Sequence, residues 1–246
     1  MNLALVYARY QILENIRVPI AVISSAMFPA LSLLFFVVPF DYAQEPTSAT
    51  TAVAQLTVFS VMSSMLFTYG IGIAEERERS WDPYLRTLPA GAQPRIAGRF
   101  ATGAVFMLLG LVPLLLVGAF GTAATITPTR LLLGIGSLLV AALPFLFGGL
   151  AIGYSLSAKT ALPVVQIVFF PLAFAGGLLL PPAIFPSWLD TFSLVLPSRG
   201  ARELVVWASV GTEPNMLALL VFALWIVATA GLAVWAYRRD EGQRFR

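Results

Sequence analysis

Residues 75 to 99 gather Glu75, Glu76, Arg77, Glu78, Arg79, Asp82, Arg86, Arg95 and Arg99, nine of the 27 charged side chains in a sequence with 15 basic and 12 acidic residues. Mixed charge at that density does ion-pair chemistry, docking one surface on another; it does not by itself do catalysis. Cysteine and histidine are absent, which excludes disulfides, Cys/His metal sites and thiol or imidazole catalysis. No G-x-x-x-x-G-K-[ST] phosphate loop occurs, and the single lysine, Lys159, follows no such glycines. Paired carboxylates beside an apolar pocket are also missing. The expectation is no catalytic residue, no metal ligand and no cofactor of the chain's own.

The elements that must hold the charged block are apolar. Hydrophobic residues make up 59% of the chain and charged residues 11%, with a mean hydropathy of +0.86, far from the roughly one-quarter charged composition of soluble domains. Uncharged runs occupy 18–40, 46–74, 100–129, 131–158, 160–189 and 214–237. Each meets the requirement of about 20 apolar residues for a membrane helix. Their continuity argues against alternating barrel strands. An all-α polytopic membrane protein with six transmembrane helices follows, and the first run, too long for a signal-peptide core, reads as a retained span with nothing cleaved.

Twelve of the basic residues fall at one end of these spans and three (Arg130, Arg199, Arg202) at the other. The bias predicts that both termini are cytoplasmic. Counting acids, the balance is about +5 inside and −2 outside, an asymmetry across a membrane and no sign of nucleic-acid binding.

Three segments lie outside the spans. In residues 1–17, Leu3, Val6, Tyr7, Tyr10 and Leu13 recur at helical spacing, the pattern of an interfacial amphipathic helix or of a frayed continuation of the first span. Asp41 to Thr51 read as a short outer loop, with the second span from about Ala52. Within the block, Pro83 would cost about 3 kcal/mol inside a helix, so a new short helix is predicted to start there, capped by Ser80 or Asp82. Trp81, Tyr84, Leu85 and Leu88 form one stripe of it, against Glu75, Arg79, Asp82 and Arg86. That stripe either rests on the chain's own helix ends or lipid headgroups, or docks on a cytoplasmic subunit. Between the fifth and sixth spans, residues 181–212, rich in proline and with Trp188, read as an outer element of one or two short helices in or dipping into the interface, or as a plain loop with an aromatic anchor.

No acid or base sits within a span, so proton-coupled transport is disfavoured. Thr57, Ser60, Ser64 and Thr68 are spaced as one polar stripe on the second span. Such hydroxyls let helices pack closely, or they line a path together with Gln55 and with Gln166 of the fifth span. Gly149-x-x-x-Gly153 is a close-approach motif.

In order, these parts resemble the permease subunit of an ABC-2 type exporter, over essentially the whole chain. The local similarities are Glu75-Glu76-Arg77-Glu78-Arg79 followed by Leu85 and Pro89, with Ser80-Trp81 in place of the usual Gly-Thr, and Gly177 through Phe185-Pro186 and Trp188-Leu189 to Pro197. The resemblance implies a single ABC-2 type transmembrane domain over 1–246: an elbow helix at 1–17, six spans, a coupling region at 75–93 and a re-entrant outer element at 181–212. It further implies dimerisation with a second permease copy, identical or related. Two copies of an ATP-binding subunit would dock on Glu75, Glu76, Arg77, Arg79, Trp81, Tyr84, Leu85 and Arg86, holding the ATP and Mg that this chain does not. The host membrane would be that of a bacterial or archaeal cell. A path of Thr57, Ser60, Ser64, Thr68 and Gln166, with Phe59, Phe67, Phe169 and Phe170 nearby, suits a drug, a lipid or a lipid-linked molecule. Export of a polysaccharide or sodium, and a membrane scaffold without transport, stay open as alternatives.

Overall fold

The computed structural model describes residues 9, 10, 13, 27–79 and 102–240 with their side chains, and the backbone alone for 19–26, 93–101 and 241–243. The amphipathic N-terminal segment falls almost entirely outside these residues, as do Trp81, Tyr84, Leu85, Arg86 and the helix start expected at Pro83.

Every described element is helical. In chain order they are α1 (Pro19–Phe36), α2 (Pro46–Glu78), α3 (Gln93–Gly121), α4 (Pro128–Ser155), α5 (Ala158–Ala175), α6 (Ser187–Ser193), α7 (Pro197–Val210) and α8 (Met216–Gln243). Short 3-10 turns at Asp41–Gln44 and Pro182–Ile184 punctuate the connections. Five helices are long and apolar enough to cross a membrane: α2, α4, α5, α8 and the Thr102–Gly121 part of α3. The Met27–Phe36 part of α1 is a shorter apolar stretch. It packs beside α3 and α2.

α2 is the centre of the bundle. Two thirds (67%) of its apolar window is buried, against 22–33% for the other spans, because α1, α3, α4, α5 and α7 all lean on it. The polar run Pro46-Thr-Ser-Ala-Thr-Thr51, expected to be loop, is its first turn and a half. Pro46 takes the first helical position, where no amide hydrogen is needed, and Glu45 caps the amides of Thr47 (3.1 Å) and Ser48. Those bonds, from Ser48 first and Thr47 second, hold the Glu45 carboxyl below the usual carboxylate range. A depressed folded pKa contributes stability above the unfolded value, about 4.3, and that contribution is lost as pH falls through the folded one. Glu45→Gln is therefore expected to lower the melting temperature in detergent at pH 7 and to converge on the parent as the pH falls below the ordinary glutamate range and the Glu45 carboxyl is protonated; a difference that persists unchanged into strong acid would contradict the cap.

Near its other end α2 departs from α-geometry. Leu66–Ile71 is a π-helical turn, continuing into Gly72–Glu78. Such turns carry one residue in excess and push backbone outward. Gly149 and Gly153 of α4 receive it: a Cβ on Gly149 would lie 2.8 Å from the Met65 carbonyl oxygen, and one on Gly153 would lie 2.4 Å from that of Tyr69. The close-approach motif is thus fitted to a bulge.

The segment before α8 is an internal part of the fold. α7 inserts between α2, α4 and α8, burying Pro197 to Arg202 together with Val205, Val206 and Ala208. Arg130 of α4 holds its far end by donating to the carbonyls of Trp207 (2.9 Å) and Ala208 (3.5 Å), a cation on the negative pole of a helix.

Candidate functional site

Three groupings carry the polar and aromatic side chains that could act on a passenger or a partner. The first is aromatic. Phe59, on the buried face of α2, meets Phe28 of α1 (ring centroids 5.6 Å apart) and Phe169 of α5 (5.2 Å). Phe169 in turn meets Phe67 and Phe170, both at 5.4 Å. Phe59 and Phe169 are buried, whereas Phe28 and Phe170 are half exposed (50% and 46%). The cluster therefore runs from the bundle interior to its surface.

The hydroxyl stripe does not stay on one face. Thr57 and Ser60 are buried, Ser64 is half-buried and Thr68 is exposed. The last lies within the π turn, whose wider winding rotates it out of the α-spaced row. Thr57 donates to the Ala54 carbonyl (2.6 Å) of its own helix, and Ser60 faces Gly110 of α3. Gln166 is exposed on α5. Thus the structure buries Thr57 and Ser60 and leaves Thr68 and Gln166 exposed.

The second grouping is the beginning of the charged block. Glu75, Glu78 and Arg79 are exposed, and Glu76 and Arg77 are half-buried. Arg77 turns back onto its own bundle: Nη1 donates to the carbonyls of Gly153 (2.8 Å) and Leu156 (3.1 Å), and Nε donates to Asp240 of α8 (3.0 Å). Glu78 accepts the amide of Ala158 (2.9 Å), the opening residue of α5. Neighbouring residues of opposite sign thus read opposite helix poles, the last carbonyls of α4 and the first amide of α5. The sequence gives no sign of this fixture, because Arg77 and Asp240 stand 163 positions apart.

The third grouping lies on α7. Arg199 and Arg202 of α7 are each only 8% exposed. Arg199 donates to Glu203 (3.0 Å), Asp190 (3.0 Å) and Ser193 (3.0 Å). Arg202 donates to Glu203 (3.2 Å) and, across the bundle, to Gln55 of α2 (3.3 Å). Glu203 also accepts the Asn215 amide (3.3 Å) at the start of α8. Charge is confined to the ends of the spans yet is delivered among them by a connecting helix. The available signal was Pro197 at a helix start followed by Arg199, Arg202 and Glu203 at three- and four-residue spacing, one polar face of one helix. Among the described residues, no group of three or more acidic side chains is placed to hold a metal ion.

Residues 3–210 match the family model described as ABC-2 type transporter. Over 173 residues the chain is 30% identical to a Bacillus subtilis (strain 168) protein named as a transport permease, YvfS, covering 69% of this chain and 70% of that protein. The bundle of long apolar helices, the mixed-charge end of α2 and these matches agree: the chain belongs to the ABC-2 type transporter family, as a multi-pass membrane permease, a transport subunit and not an enzyme, in a family whose members work with an ATP-binding partner.

Proposed function

We propose that this permease forms the translocation path of an ATP-driven exporter for a hydrophobic or amphipathic substrate such as a drug, a lipid or a lipid-linked molecule. Two permease copies and two ATP-binding subunits make the complex. Helix α1 completes six crossings, and both termini are cytoplasmic in a bacterial or archaeal cell membrane. The observation that carries the substrate class is the aromatic cluster, which links buried Phe59 and Phe169 to the exposed Phe28 and Phe170 on α1 and α5. A continuous aromatic surface binds an apolar body far better than a hydrated ion or a glycan.

Hydrolysis is the partner's chemistry. Its force enters at residues 75–93, with Glu75, Glu76, Arg77, Arg79, Trp81, Tyr84, Leu85 and Arg86 as the docking residues. Arg77 also links that region to α4 and α8. Movement there biases inward-open against outward-open packing of the spans.

The test is reconstitution with the ATPase encoded by the adjacent reading frame. Co-purification and ATP-dependent uptake of a fluorescent amphiphile into inside-out vesicles are expected; no association and no uptake would sink the reading. Charge reversal at Glu76 is expected to cut transport about tenfold or more while ATP hydrolysis and membrane insertion persist, since a like-charge contact at an interface costs several kcal/mol. Unchanged transport per ATP removes the docking assignment.

A further inference from the structure

The cluster on α7 is a poor purely structural device. Buried guanidiniums are costly unless their donors are filled, and here they are not. Arg199 and Arg202 bond the same oxygen, Oε1 of Glu203, while Oε2 is taken by the Asn215 amide. Asp190, the other carboxylate, serves Arg199 alone and is half exposed. Arg202 fills Nε on Gln55 and one Nη1 hydrogen on Glu203; its Nη2 meets no acceptor among the described residues. Nor is that nitrogen sealed in, for the only fully enclosed polar side-chain atom without a partner among them is Ser198 Oγ. An ionised group with open donors thus sits among the helices, nine-tenths buried but with Nη2 not fully enclosed.

Its location supplies the rest. Gln55 is the tenth residue of α2, about 14 Å along the helix from Pro46 at 1.5 Å per residue. An ionisable side chain held among the spans of a membrane protein marks a ligand path. Gln55 and Phe59 lie one turn apart on the same face of α2, so Gln55, the partner of Arg202, stands about 6 Å along the axis from the start of the aromatic cluster.

We propose that Arg202, positioned by Gln55 and Glu203, binds the acidic headgroup of an amphipathic substrate, a phosphate, sulfonate or carboxylate, while the apolar body lies along Phe59 and its aromatic neighbours. This rests on the reading of the chain as a permease for amphipathic cargo and narrows it to anions. The oxyanion takes the open Nη2 donors, a charge-assisted bond that a neutral headgroup does not match.

The experiment measures binding to the purified full-length permease in neutral detergent, using 1-oleoyl lysophosphatidate, its neutral analogue mono-olein and inorganic phosphate. The parent is expected to bind lysophosphatidate at least tenfold more tightly than mono-olein. Arg202→Gln removes that preference, weakening lysophosphatidate by roughly ten- to a hundredfold and leaving mono-olein unchanged. Gln55→Glu, which places a carboxylate against Arg202 without deleting a charge partner, has the same effect and keeps the test open if Arg202→Gln does not fold. Equal affinity for the two lipids, or variants that bind lysophosphatidate like the parent, overturn the proposal. Displacement by inorganic phosphate at the lipid's own concentration also overturns it, by showing a free-anion site. Failure of the permease reading appears separately, as absent ATP-dependent uptake of any amphiphile.

Discussion

Gly153→Ala is expected to destabilise the bundle by at least about 1–3 kcal/mol, the usual range for overpacking, and Gly153→Val to prevent its assembly. The added carbon would stand 2.4 Å from the Tyr69 carbonyl oxygen and 2.9 Å from Cβ of Ile73. Neither obstacle is the end of a flexible side chain, so nothing nearby can swing aside. Gly149→Ala follows in the same direction, with its nearest obstacle, the Met65 carbonyl oxygen, at 2.8 Å. Gly231 of α8 is the control, because a Cβ there meets nothing within 4 Å. Gly231→Ala should hold or raise stability by up to about 1 kcal/mol, through helix propensity alone. Melting followed by fluorescence-detected size exclusion ranks the set. A Gly153→Ala protein that melts with the parent would mean that α2 and α4 do not meet backbone to backbone.

Arg77→Ala is the second large effect, expected to cost about 1.5–3 kcal/mol, the range for hydrogen bonds to charged groups. Asp240, 3% exposed at its side chain, loses the Arg77 guanidinium. The carbonyls of Gly153 and Leu156 lose a donor together. Arg77→Lys should fall between the two, since an ammonium lacks the planar fork that reaches a carboxylate and two carbonyls at once. The same variants separate fixture from docking. As a fixture, Arg77→Ala lowers the melting temperature and leaves the affinity of the folded fraction for its ATPase unchanged. Reduced affinity at unchanged melting temperature would instead make Arg77 a partner contact.

What could be read from the residues in order was whatever depends on local composition. The long helices stand where uncharged runs predicted them, because in lipid the chain must satisfy its backbone within each segment. The start of α2 was misplaced by about six residues, since Thr and Ser between Pro46 and Thr51 resemble a loop until Glu45 is seen to cap them. Contacts between distant parts were not legible. Arg202 reads as one charge of an outer element and Gln55 as a companion of the hydroxyl stripe; only the insertion of α7 makes them partners. Thr68 belonged to the hydroxyl stripe by α-helical arithmetic and left it because Leu66–Ile71 winds differently. No residue type in that segment announces a π turn, whose fit depends on Gly149 and Gly153 of α4.

That dependence runs both ways. The excess residue in the second span and the two side chains missing from the fourth are one feature written in two places, about 80 positions apart in the chain. A bulge without the glycines would collide, and glycines without the bulge would face a void. Any redesign of this seam must treat the two helices as a single text: shorten the turn at 66–71, and the vacancies at Gly149 and Gly153 must be filled in the same stroke.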